Sequence, residues 1–265
     1  MSFALGPKAL AAGYRLATFE TIGSTSTEAL ALGTLGDPGR IWVVAGEQTA
    51  GHGRRGRSWE TRRGNLAASL LLVQPQGSAA SATLGFVAGL ALNEAICTTL
   101  RQNQLPERVN LCLKWPNDVL CNGAKLAGIL LEAATRPGAG SNVVVGIGVN
   151  VRHAPTGMPY PVTSLAEHGL MIPAETLFTA IGETWVEQEA LWEEGRGFAA
   201  IRGEWLRHAA GLGALIAVSV SGDVYRGVFE TIDDDGRLIV RATDGSSRAV
   251  SAGEVYFGAA TTAVS

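Results

Sequence analysis

Two lysines, an amide and a carboxylate bracket one short stretch of the chain: Lys114-Trp115-Pro116-Asn117-Asp118, followed by Gly123-Ala124-Lys125-Leu126-Ala127-Gly128. Lys125 stands just past Asn122-Gly123, the strongest two-residue hairpin signal, and therefore begins a strand. An ammonium fixed there could sit over a reacting centre and neutralise charge that develops in a transition state. An exposed hairpin lysine fits the same spacing.

The second constellation is Gln48-Thr49-Ala50-Gly51-His52-Gly53-Arg54-Arg55-Gly56-Arg57-Ser58-Trp59. Gly51 to Gly56 matches G-x-G-x-x-G, but the dinucleotide fingerprint needs a helix after the glycine turn, and here Gly64-Asn65 leads into a strand. An anion-holding flap suits the composition better. Glycines let backbone N–H groups approach a phosphate, arginines fork onto its oxygens, and Trp59 offers an apolar wall. A solvated basic loop, or a nucleic-acid patch, accounts for the same composition. A third segment is Gly146-Ile147-Gly148-Val149-Asn150. Glycines inside a strand mark a bulge, tight packing, or close approach of a ligand, and Asn150 adds donors and an acceptor at the strand end.

These residues need elements to hold them. Thr25-Ser26-Thr27-Glu28 has capping-box spacing, which predicts a short helix through about Leu32. Ile41 to Ala45 and Leu66 to Val73 read as buried strands, and Ala82 to Arg101 carries a helical apolar pattern. Val119 to Cys121, Leu126 to Leu131 and Val143 to Val151 form an antiparallel meander, with a turn at Pro137-Gly138-Ala139-Gly140. Helices are expected over about 174–194 and 198–208. Beyond Gly211-Leu212-Gly213, short alternating segments are punctuated by Ser221-Gly222, Asp235-Gly236 and Asp244-Gly245, a pattern typical of a small β-barrel. That module is too small for independent stability and should pack on the main domain.

The bulk numbers bound the reading. The chain has 265 residues, 46% hydrophobic and 17% charged, with net charge −3. A sizeable core can form, and a strongly basic nucleic-acid binder is not indicated. Three cysteines (Cys97, Cys112, Cys121) without close spacing, and four histidines, argue against a disulfide framework or a structural zinc site. The N-terminal stretch has no signal-peptide pattern, and no run of about 20 uncharged apolar residues is found. A cytoplasmic protein without a membrane span is expected.

Taken together, Ser24-Thr25-Ser26, Gln48 to Trp59, Lys114 to Asp118, Lys125 to Gly128 and Gly146 to Asn150, in that order, resemble the biotin–protein ligase family, also called biotin–[acetyl-CoA-carboxylase] ligase. The resemblance covers residues 20–152 strongly and the C-terminal segment weakly. It implies an α+β fold: a mixed, largely antiparallel sheet flanked by helices, like a class II aminoacyl-tRNA synthetase, over residues 1–211, and a small SH3-like β-barrel over 212–265. It implies a reaction in two steps, in which biotin and ATP give biotinyl-5′-adenylate and a carrier lysine then takes the biotinyl group. Lys125 and Arg54 would be catalytic. Ser24, Thr25, Ser26, Gln48, His52, Gly53, Arg54, Trp59, Lys125, Gly128, Gly146 and Gly148 would form the biotin site. Arg54, Arg57, Lys114, Asn117, Asp118 and Asn150 would face the nucleotide.

Mg²⁺ is implied by phosphoryl chemistry, with its ligands unassigned. The expected partner is a biotin carboxyl carrier domain. No specific DNA partner is expected, because the Ser-Thr motif begins at residue 24 and leaves no room for the winged-helix module of repressor members. A weak homodimer is allowed. This chain departs from the family at Ser26, often Asn, and His52, often Arg. A lipoate–protein ligase with the same adenylate chemistry is the nearest alternative, and a nucleic-acid-binding module using Arg54, Arg55 and Arg57 is a non-enzymatic one. The Gly/Arg loop combined with Lys114 to Asp118 favours biotin.

Overall fold

In the computed structural model, which describes residues 2–74, 79–103, 109–136 and 140–258, the chain enters through a short helix, α1 (Pro7–Ala11). An edge strand, β1 (Arg15–Phe19), and helix α2 (Thr25–Thr34) follow. Ser24, not Thr25, caps α2: its Oγ accepts from the Thr27 N–H at 3.4 Å. The cap thus stands one residue earlier than its sequence reading, and Thr27 rather than Glu28 takes the third helical position. The offset turns Thr25 and Ser26, in the first turn, toward the sheet.

Strands β2 (Ile41–Ala45) and β3 (Leu66–Gln74), helix α3 (Leu84–Gln102), and strands β4 (Leu111–Lys114), β5 (Asp118–Cys121), β6 (Ala124–Arg136) and β7 (Gly140–Val149) complete a seven-stranded sheet. Its order is β1-β2-β3-β7-β6-β5-β4; β1 and β2 are parallel and the other pairs antiparallel. The β5–β6 turn is Asn122-Gly123, both at positive φ, as the hairpin signal requires. Of the turn expected before β7, Pro137 to Ala139 lie outside the described residues.

Alternation gives the sheet two unlike faces. One carries Trp42, Val44, Leu66, Leu70, Val145, Ile147 and Val149 into the main core, together with residues of α3, α4 (Ala174–Trp192) and α5 (Phe198–Arg207). Residues 80–102, which include α3, are long and apolar enough by length and composition alone to cross a bilayer, but Glu94 and Arg101 interrupt the run, so the expectation of no uncharged apolar stretch stands. Residues 84–93 are buried without a break, the mark of a core helix that is apolar all round. The opposite face is covered by α2 over Ile41, Val43, Leu71 and Val144. Beside α2 that face has a patch of small residues: Ala67, Ser69, Gly128, Gly146 and Gly148 stand beside one another in register.

The C-terminal strands β8 (Leu215–Val220), β9 (Asp223–Ile232), β10 (Leu238–Arg241), β11 (Ser247–Val250) and β12 (Glu254–Phe257) form an antiparallel sheet in the order β11-β10-β9-β8-β12. Ile216, Val218, Phe229, Leu238 and Val255 are buried in a cluster continuous with the main core. The Trp115 indole N–H reaches the Gly236 carbonyl at 3.2 Å, so the module is docked as its size demands.

Candidate active site

The small-residue patch of the sheet is the floor of a cavity of about 420 Å³. Its depth comes from the absence of side chains. A Cβ at Gly146 would lie 2.8 Å from Ser26 Oγ, and one at Gly148 would lie 2.3 Å from the Trp59 indole. The N-terminus of α2 and the start of the flap close one end. Gln48 Oε1 accepts from the Thr25 N–H at 2.8 Å and from its hydroxyl at 3.0 Å, while Ser69 Oγ meets Thr25 Oγ1 at 2.8 Å and Ser26 Oγ at 3.0 Å. The result is a neutral set of donors and acceptors fixed to a helix and a strand, suited to a polar, uncharged head group.

The other end is cationic. Lys125 Nζ lies 2.8 Å from Asp118 Oδ1 and faces the rings of Trp59 and Tyr160, 5.7 and 5.8 Å from their centroids. Lys114 Nζ lies over the Phe257 ring at 5.5 Å. Burial lowers the Lys114 pKa from its ordinary value, and the neighbouring Lys125 charge adds to this while Asp118 and Glu254 oppose it. Burial likewise lowers that of Arg54, with Arg55 adding to the effect. Arg54 Nη1 donates to Asn117 Oδ1 at 3.1 Å, a neutral partner that leaves its charge uncompensated at close range. An anion entering this end would meet partly desolvated cations, where charge-assisted hydrogen bonds are strong.

The flap spans the two ends. His52 pairs with Ser58, the Gly53 N–H donates to the Arg57 carbonyl at 2.7 Å, and Trp59 lies across Gly128 and Gly148. Gly51 has no room for a Cβ, which would fall 2.4 Å from the Trp59 carbonyl oxygen. His52 Nδ1 is 3.4 Å from Ser24 Oγ, and its Nε2 is 3.2 Å from Glu132. Arg57 donates to Glu254 of β12, and Arg55 lies 3.9 Å from the same carboxylate.

All but one of the residues assigned to the biotin or nucleotide site line this cavity. The exception is Asn150, expected at the nucleotide: it is buried, and its Nδ2 donates to the Thr163 carbonyl at 3.1 Å. Arg57 reaches the cavity but spends its guanidinium on Glu254. Sequence reasoning missed Ser69, Glu132, Tyr160 and the β12 wall of Glu254, Tyr256 and Phe257. Ser69 had a signal, a polar residue at the cavity-side phase of an otherwise apolar strand. Glu132 carries a similar mark, a charge within the apolar run of β6, whereas Tyr160 and the β12 residues lie outside the segments singled out.

Comparisons with known proteins agree with this architecture. The model for the biotin/lipoate A/B protein ligase family matches residues 19–150, and that for the biotin protein ligase C-terminal domain matches residues 213–258. A biotin–[acetyl-CoA-carboxylase] ligase of Paracoccus denitrificans is 42% identical over 89% of this chain and 97% of its own length. One from Mycobacterium tuberculosis is 33% identical over 88% and 85%. Among solved structures, the biotin protein ligase of Aquifex aeolicus in complex with biotin and ATP shares the fold, with a TM-score of 0.74, 23% identity and coverage of 91% of this chain and 97% of that one. Two matched segments in the expected order, and near-full-length identity to ligases of this type, show that the chain belongs to the biotin protein ligase family.

Proposed function

We infer that this protein couples ATP to the biotinylation of a lysine on a biotin carboxyl carrier domain through biotinyl-5′-adenylate. One observation carries the reading: a single cavity joins a neutral, hydrogen-bonding pocket on a small-residue floor to a cluster of partly buried cations. The ureido ring would lie against Ser24, Thr25, Ser26, Gln48 and the glycines. The carboxylate would then point toward Lys125. Its oxygen attacks the α-phosphorus, the bond to the bridging oxygen breaks, and pyrophosphate leaves. Both steps gather negative charge beside one phosphorus, so fixed cations can supply much of the catalysis. Lys125 and Arg54 are assigned to that charge, and Lys114, Asn117 and Asp118 to the nucleotide. In the second step a carrier amine attacks the acyl carbon, AMP departs with the electron pair of the anhydride bond, and the amine proton is lost to solvent.

Mg²⁺ fits as an ion delivered by the nucleotide. It takes oxygen ligands in an octahedron, keeps several waters, and is commonly held by substrate phosphates with one or two carboxylates. Among the described residues no cluster of three or more His, Cys, Asp or Glu forms a cage, while Asp118 stands at the cation end as an oxygen donor. The ion, when bound, would neutralise charge on the leaving pyrophosphate.

The division of labour we assign is a ligase domain over 1–211 and a barrel over 212–265, the latter contributing Glu254 to Phe257 to the cavity wall. The reaction belongs in the cytoplasm, where ATP is abundant. No specific DNA partner is proposed; Arg55 and Arg57, which a nucleic-acid patch would present, pair with Glu254. A weak homodimer is the expected self-association, readable by sedimentation velocity.

The test incubates the enzyme with ATP, Mg²⁺, biotin and a biotin carboxyl carrier domain. A mass increase of one biotin on the carrier supports the function. ATP–pyrophosphate exchange triggered by lipoate but not by biotin would overturn it in favour of the lipoate reaction.

A further inference from the structure

Strand β7 ends at Val149, opposite Ala127, two residues short of Lys125 on the neighbouring strand. There β6 acquires a different neighbour. The Lys125 N–H donates to the Pro161 carbonyl at 2.9 Å, and the Thr163 N–H donates to the Lys125 carbonyl at 2.9 Å, so a strap at 160–168 runs parallel to Lys125 and replaces β7. Tyr160, at the head of this strap, is also one of the rings that face Lys125 Nζ.

The strap is anchored by polar contacts made outside the cavity lining. Asn150 donates its backbone N–H to the Leu126 carbonyl at 3.0 Å and its side-chain Nδ2 to the Thr163 carbonyl at 3.1 Å. It therefore clamps strap to strand immediately past Lys125's own bonds, and the residue is only 2% exposed. The Thr163 hydroxyl donates to Glu167 at 2.7 Å and lies 2.9 Å from His168 Nε2. His168 Nδ1 lies 3.3 Å from Asn122 Nδ2 at the hairpin tip. A consistent relay runs from the Asn122 amide to His168 Nδ1, from His168 Nε2–H to Thr163, and from Thr163 to Glu167, with the tautomer assigned by these partners. The hairpin that carries Lys125 is thus tied to the strap at its turn and at its root.

We propose that Asn150 and Thr163 are positioning residues for Lys125: they fix the strap that sets where its ammonium stands, and they act on the reaction through Lys125 alone. The proposal rests on the assignment of Lys125 to the phosphorus undergoing attack. The physical reason is that a preorganised charge acts only while its position is held, and a misplacement of about 1 Å costs on the order of 10²-fold in rate.

The experiment is a double-mutant cycle on the single-turnover rate of biotinyl-adenylate formation, using full-length protein shown to be folded by circular dichroism. Asn150→Ala and Thr163→Val are each made in the wild-type and the Lys125→Gln backgrounds. Each is expected to slow adenylate formation by roughly tenfold in the wild-type background, with biotin affinity measured without ATP changed less than about twofold, and to cost almost nothing further once Lys125 is gone. A merely structural role would subtract the same factor in both backgrounds, and that result overturns the proposal, as do wild-type rates in both single variants. Should Asn150→Ala fail to fold, Thr163→Val, which removes only the hydroxyl contacts, decides by the same criteria. A wild-type enzyme that forms no biotinyl-adenylate would instead overturn the proposed function, so the two failures are distinguishable.

Discussion

The cavity has one wall laddered by main-chain bonds and one held largely by side chains. The Lys125 side is backbone throughout: β4, β5 and β6 are laddered together, and the strap adds two further main-chain bonds at Lys125 itself. The flap opposite is held by few main-chain bonds and by side-chain pairs whose arginines, Arg55 and Arg57, are more than half exposed. Exposed ion pairs contribute about 0–1 kcal/mol each, so such a segment can open at small cost, whereas a buried ladder opens only with its whole strand. The comparison assigns most of the chemical step to the rigid wall, with Arg54 reaching in from the flap, and retention of the intermediate to the flap.

Mutations that touch only one side sharpen this division. The largest effect is expected at Lys125. Lys125→Ala should cut pyrophosphate exchange by roughly 10²–10³-fold, the cost of losing one preorganised donor, with little change in melting temperature. Wild-type exchange in that variant would remove Lys125 from the chemistry. Next is Gly148→Ala, whose new Cβ meets the Trp59 indole at 2.3 Å. Displacing the ring costs about 1–3 kcal/mol, so biotin affinity by calorimetry should fall by roughly tenfold or more. Unchanged affinity would mean that Trp59 does not cover the bound acid.

Arg54→Gly tests the flap. It removes the half-buried cation and adds backbone freedom. Release of adenylate should rise by about tenfold, more than formation falls, and labelling of a protein without a carrier domain should rise with it. Bystander labelling no greater than wild type would refute a lid role for Arg54. The smallest effect belongs to Glu254→Gln, which unties Arg57 and Arg55 from β12. An exposed pair of this kind should speed release only about 2- to 5-fold. Burial pushes the Glu254 carboxyl up, but the Tyr256 hydrogen bond and the two arginines outweigh it and hold the pKa below the ordinary value. The pair's contribution is therefore present above the ordinary carboxylate range and lost as pH falls through the depressed value. Release by the wild type should quicken on acidification, and the variant should lose that component.

Much of the sheet that carries the rigid wall was legible in the sequence. Asn122-Gly123 marks the hairpin, Ile41 to Ala45 marks the strand β2, and the alternation of Gly146 and Gly148 with Ile147 and Val149 separates cavity from core. The edge strand β1 was not, because Arg15 to Phe19 is half exposed and breaks period-2 patterning. The strap and β12 were hidden for another reason: their roles are set by partners elsewhere in the chain, Pro161 and Thr163 against Lys125 and Glu254 against Arg57, the latter 197 residues apart. Asn150 was noticed for its chemistry and placed at the wrong end of it, since a strand-end amide satisfies a neighbouring carbonyl as readily as a ligand. The cap at Ser24 differs from its reading by one residue because Ser24 and Thr25 both suit the position.

The floor of Ala67, Gly128, Gly146 and Gly148 also bears on how the enzyme can change. Glycine is already the smallest residue, so substitutions at Gly128, Gly146 or Gly148 can only make the site shallower and its choice of acid narrower. Acceptance of bulkier analogues has to begin at the roof, by trimming Trp59, where the coupling to flap closure makes a broader diet come with a leakier intermediate.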